Sequence, residues 1–96
     1  MSKYILLLNW TEQGIKTIKE SANRYDAAKE VARSLGCTLE SIHLTFGAYD
    51  LVGMLDAPND EAAATFNLRL ASGGAVRGTT LKAFPEADYR KIIGAL

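Results

Sequence analysis

The sequence predicts an α+β fold. A four-stranded antiparallel sheet carries helices on one face, in the order β-α-β-β-α-β, and a further helix follows at the C-terminus. Three observations predict it. Two apolar runs, residues 4–8 (Tyr-Ile-Leu-Leu-Leu) and 51–55 (Leu-Val-Gly-Met-Leu), have the length of strands and the continuity of buried ones. Ala28, Val31, Ala32 and Leu35 recur at the i, i+3, i+4, i+7 spacing of a helix with one core stripe. The stretch Thr45-Phe46-Gly47-Ala48-Tyr49-Asp50 sets a glycine between two apolar runs, which is a hairpin signal.

The first strand covers residues 3–9. Tyr4, Leu6 and Leu8 leave it on one side and Ile5 and Leu7 on the other, so it belongs in the middle of the sheet. Thr11 is the N-cap of the helical segment after it, with Glu12 in the first turn. Gly14 stands where a helix prefers alanine, at a cost of about 1 kcal/mol, which predicts an irregular start. A first helical piece covers 15–21, Ser21 and Asn23 mark a kink, and the main helix runs to Leu35, with Gly36 just past its end.

The second strand covers 38–46 and alternates, with Ile42, Leu44 and Phe46 on one face and Ser41, His43 and Thr45 on the other. The third covers 49–56. A two-residue loop, Gly47-Ala48, joins them as a type II′ turn with Gly47 at positive φ. That turn pairs Phe46 with Tyr49, Thr45 with Asp50 and His43 with Val52. Asn59 or Asp60 caps the next helix, which runs through Ala63, Phe66 and Leu70 and stops at Ser72-Gly73-Gly74. The fourth strand covers 75–84, and Pro85-Glu86 opens a last helix with a Tyr89, Ile92, Ile93, Leu96 stripe.

The compact solution for this order is the ferredoxin-like split βαβ, with strands in the spatial order 4-1-3-2. Its helices cover one face only. The first strand is apolar on both sides and the third nearly so, with Leu51 and Leu55 on one side and Val52 and Met54 on the other, so the bare face is apolar and something must cover it. The C-terminal helix is one cover. A second copy of the sheet, about 10 Å away, is the other, so a homodimer or higher oligomer is expected.

At 96 residues the chain forms one domain, residues 1–96. Eleven basic side chains balance eleven acidic ones, which argues against nucleic-acid binding driven by bulk charge and gives no support for an anionic membrane as partner. The longest N-terminal apolar run is too short to span a bilayer. The single Cys37 forms no internal disulfide and reads as a small apolar filler, and a cytoplasmic location is the expectation. One histidine and one cysteine make a closed metal site implausible, and no glycine-rich phosphate loop or nucleophile elbow is present. No metal or other cofactor is expected.

The topology gathers polar groups at one end of the sheet: Asn9, Trp10, His43, Thr45, Tyr49, Asp50 and Arg77. With the Gly47-Ala48 turn, Asp50 lies diagonal to His43 on one face. A carboxylate beside an imidazole orients it for acid–base work, so His43 and Asp50 are the candidate catalytic pair. Asn9, Trp10, Thr45, Tyr49 and Arg77 are the candidate ligand-binding residues around it.

Four stretches carry a family resemblance: Asn9-Trp10-Thr11-Glu12-Gln13-Gly14, Gly47-Ala48-Tyr49-Asp50, Ala57-Pro58-Asn59-Asp60-Glu61 and Thr79-Thr80-Leu81-Lys82-Ala83-Phe84. By these the chain resembles the GYD family of small prokaryotic proteins over nearly its whole length. The family in turn resembles the dimeric α/β-barrel superfamily. That superfamily includes cofactor-free monooxygenases, lyases, haem enzymes and ligand-sensing modules, and His43 sits in no haem-ligand motif of theirs. Two functions from different classes are open to such a chain. One is an oligomeric small-molecule-binding module. The other is a cofactor-independent monooxygenase- or isomerase-like enzyme for a small aromatic or carbonyl metabolite, which needs His43 or Asp50 to share a pocket with Trp10, Tyr49 or Arg77.

Overall fold

In the computed structural model, which describes residues 1–96, β1 (Ser2–Trp10) leads through α1 (Glu12–Lys16) and a 3-10 turn (Ile18–Glu20) into α2 (Ser21–Ser34). Next come β2 (Thr38–Leu44), β3 (Leu51–Ala57), α3 (Asp60–Ser72), β4 (Val76–Ala83) and α4 (Glu86–Gly94). The strands pair antiparallel in the order β2-β3-β1-β4, as the sequence predicts.

Local chemistry sets the helix ends. Thr11 caps α1 by accepting from Gly14 N at 3.1 Å. Gly14 is buried, and a Cβ there would stand 2.0 Å from the Ala75 carbonyl oxygen. Its glycine is therefore a close-approach requirement, since the turn packs directly on the start of β4. The expected break falls just before Ser21, where the 3-10 turn hands over to α2. Past α2, Gly36 takes φ +76°, Gly36 N donates to Arg33 O and Cys37 N to Ala32 O, a Schellman closure. Asn59 Oδ1 caps α3 by accepting from Ala62 N at 2.8 Å. That leaves Asp60 to accept from the Tyr4 hydroxyl and pair with Lys82 at 3.0 Å.

The core lies between the sheet and α2 and α3. Leu6, Leu55, Ala32, Ala57 and Phe66 are at most 1% exposed. Cys37 is buried beside them, and burial pushes its thiol up from the ordinary value, in keeping with a filler.

The hairpin tip differs from expectation. β2 stops at Leu44 and β3 starts at Leu51, so the connection spans residues 45–50 and is not a two-residue turn. The expected register survives, with His43 opposite Val52 and Thr45 N donating to Asp50 O at 2.8 Å. Gly47 does take positive φ, +127°. Phe46 and Tyr49 do not close the loop as a pair, for Phe46 is 99% exposed. The physical reason is that Asp50 turns inward: its N–H donates to Leu8 O and to Asn9 Oδ1, tying the loop base to β1.

The second face of the sheet is open. The C-terminal helix does not close it: α4 stands off the sheet, with Tyr89, Ile92 and Ile93 about half exposed and Leu96 almost fully so. No helix is long and apolar enough to cross a membrane.

Candidate functional site

The strand registers order the open face into rows. Ile5, Met54 and Leu81 form one row with Ser41 beyond them. Leu7, Val52, Thr79 and His43 form the next. At one end Lys3 pairs with Asp56 at 2.9 Å and also with Glu40, which a bulge between Leu39 and Ser41 turns to the same side. These carboxylates, Glu40 first and then Asp56, raise the lysine above its ordinary value. At the other end Arg77 stands opposite Asn9. The face is thus an apolar centre between two polar ends.

The expected polar cluster is partly assembled. Asp50 Oδ2 accepts from Trp10 N at 3.0 Å, Asn9 Oδ1 accepts from Asp50 N at 3.1 Å, and Thr45 Oγ1 donates to Tyr49 O at 2.6 Å. Asn9, Thr45, Tyr49 and Asp50 are therefore joined, and they fasten the hairpin base to the end of β1. His43 is exposed on the neighbouring row, and the Asp50 carboxylate is engaged with Trp10 N and not with the imidazole. Arg77 is exposed beyond Asn9.

Trp10 leaves β1 on the side opposite His43, because the strand alternates. Its indole lies on the helix side, and Nε1 is buried without a partner. It lines a cleft of about 630 Å³ between the sheet, α2 and the end of α3. Apolar side chains from all three, Leu8, Ile42, Val31 and Leu70 among them, form its walls, and Arg24 and Arg69 are its charged residues. Sequence reasoning missed this cleft. Its one sequence signal is the small residues Ala22, Ala27 and Ala28 that α2 contributes to its lining. No three His, Cys, Asp or Glu side chains come together as metal ligands.

One antiparallel sheet under one helix layer, with an uncovered second face, defines a ferredoxin-like α+β domain. Within that class the chain belongs to the GYD domain family, whose model matches residues 4–93. It is 32% identical over 89 residues, 92% of this chain and 94% of the relative, to a Thermus thermophilus protein named glutamine synthetase and cystathionine beta-lyase binding protein. Among solved structures it is similar to TTHA0845 from Thermus thermophilus, with a TM-score of 0.57 and 23% identity over 88% of this chain and 95% of that one. MtbAldR gives a TM-score of 0.68 at 14% identity, and this chain spans 52% of its length. The Mycobacterium tuberculosis leucine response regulatory protein LrpA gives 0.58 at 12%, and this chain spans 51% of it. At these identities the structural likenesses establish the fold alone.

Proposed function

We propose that this chain is a non-catalytic binding module that works in the cytoplasm as a homodimer or higher oligomer, its open sheet face packed against that of a second copy. The observation that carries this reading is the uncovered apolar centre made by Ile5, Leu7, Val52, Met54 and Leu81. Its polar ends suit a two-fold contact, since Lys3, Glu40 and Asp56 offer both signs of charge at one of them. A face-to-face sheet contact approaches the roughly 800 Å² per partner of a stable interface. In such an assembly the polar group of Asn9, Thr45, Tyr49, Asp50 and Arg77 frames the mouth between the sheets, with His43 just inside it.

By likeness to the Thermus relative, the partner class is a metabolic enzyme. Sedimentation equilibrium tests the assembly: the reading expects a mass near twice the 10.4 kDa chain or a higher multiple. A monomer at micromolar concentration overturns it. Titration with the host's purified glutamine synthetase tests the partner separately, and absence of binding removes that part alone.

A further inference from the structure

We infer that the cleft between α2 and the sheet is a binding site for a small amphipathic carboxylate, with an apolar body held by the walls and an anionic head met by Arg24 and Arg69. This rests on the reading of the chain as a binding module, but not on its self-association, because the cleft lies on the other side of the sheet.

The volume comes first. About 630 Å³ falls within the roughly 300–1,000 Å³ range of small-molecule sites. Protein interiors are close-packed, and an apolar cleft this large in a 96-residue chain leaves its walls without partner atoms. α2 contributes small residues to the lining, the buried Ala28 and the exposed Ala22, where larger side chains would take up room.

The charge comes second. No aspartate or glutamate lines the cleft, while two arginines do. Neither is in an ion pair. Arg24 spends donors on Thr17 O, Thr17 Oγ1 and Gly14 O, three bonds from a group with five donors. Neutral carbonyl and hydroxyl acceptors leave its charge unmatched. Arg69 is exposed on the last turns of α3. An arginine fork fits a carboxylate, and a charge-assisted pair is about twice as strong as a neutral hydrogen bond. An apolar wall with unmatched guanidinium groups therefore selects a molecule that is greasy at one end and anionic at the other.

The chain supplies its own probe, since its single tryptophan lines the cleft. Decanoate, decanol and decyltrimethylammonium are titrated against the full chain, following Trp10 fluorescence and the single indole N–H resonance. The inference expects saturable binding of decanoate, about tenfold weaker binding of decanol, and weaker binding still of the cation. Arg69→Gln, at an exposed position, should cost decanoate severalfold and leave decanol unchanged. Two results overturn the inference: no saturable change with decanoate up to its solubility limit, or equal affinity for all three probes. Should Arg69→Gln alter the fold, the ranking of the probes on the native chain still decides the question. Loss of decanoate selectivity leaves the oligomer untouched, and a monomeric chain that binds decanoate leaves this site standing.

Discussion

Tyr4, Leu6 and Leu8 leave β1 on one side, and Ile5 and Leu7 leave it on the other. The first three are at most 6% exposed beneath α2 and α3, whereas the other two are only partly buried on a face that no helix covers. The same holds across β3, where Leu55 is sealed and Met54 is not. Apolar side chains of like kind thus do two different jobs. One set holds the chain's own helices and sets its stability. The other is spare within the chain and suits an interface, where burial is worth roughly 25 cal/mol per Å² once water is excluded.

Substitutions separate the two faces. Phe66→Ala empties the centre of the helix-side core and should cost about 3–5 kcal/mol in chemical denaturation, the largest effect expected here. A loss below about 1 kcal/mol would mean that the two faces are not distinguished by packing. Val52→Asp, on the open face, should leave the circular-dichroism spectrum native while raising the dissociation constant of the proposed dimer about a hundredfold, roughly 3 kcal/mol. Sedimentation that still returns the wild-type mass would place the interface elsewhere. Gly14→Ala forces a Cβ against the Ala75 carbonyl and should cost about 1–3 kcal/mol, read as a lowered denaturation midpoint with the oligomer mass unchanged.

The smallest effect is one of pH. The Tyr4 hydroxyl first, and the Lys82 ammonium second, hold the Asp60 carboxyl below its ordinary 3.8. A carboxyl whose folded value is depressed contributes stability that is present above the unfolded value and lost as pH falls through the folded one. Asp60→Asn should therefore flatten the acid limb of the stability profile below about pH 4 and change its shape little at neutrality. An acid limb identical to wild type would show that Tyr4 and Lys82 do not favour the charged form.

Much of the architecture was legible because it rests on local or short-range chemistry. The two-sided apolar strands fixed the sheet's centre. Thr11, Asn59 and Gly36 marked helix ends through bonds to residues at most three or four positions away. The hairpin register was legible for the same reason, while its turn was not. Asp50 spends its N–H on β1 and so opens the loop, and that partner lies 41 residues away in sequence.

The candidate site divides along the same line. Sequence brought Asn9, Thr45, Tyr49 and Asp50 to one end of the sheet, since strand order and alternation alone decide that. It could not assign Trp10 to the cleft or show that Arg24 and Arg69, 45 positions apart, line one wall system. Alternation says which side of a strand a residue leaves, but the space beneath a helix depends on how far off the sheet that helix packs. The sequence by itself determined the strand order, the caps and the two-faced sheet, because periodicity and backbone hydrogen bonding act over a few residues. Only the tertiary structure decided that α4 stands away, that the second face is bare and that α2 leaves a cleft, because each depends on side-chain volumes meeting across elements far apart in the chain.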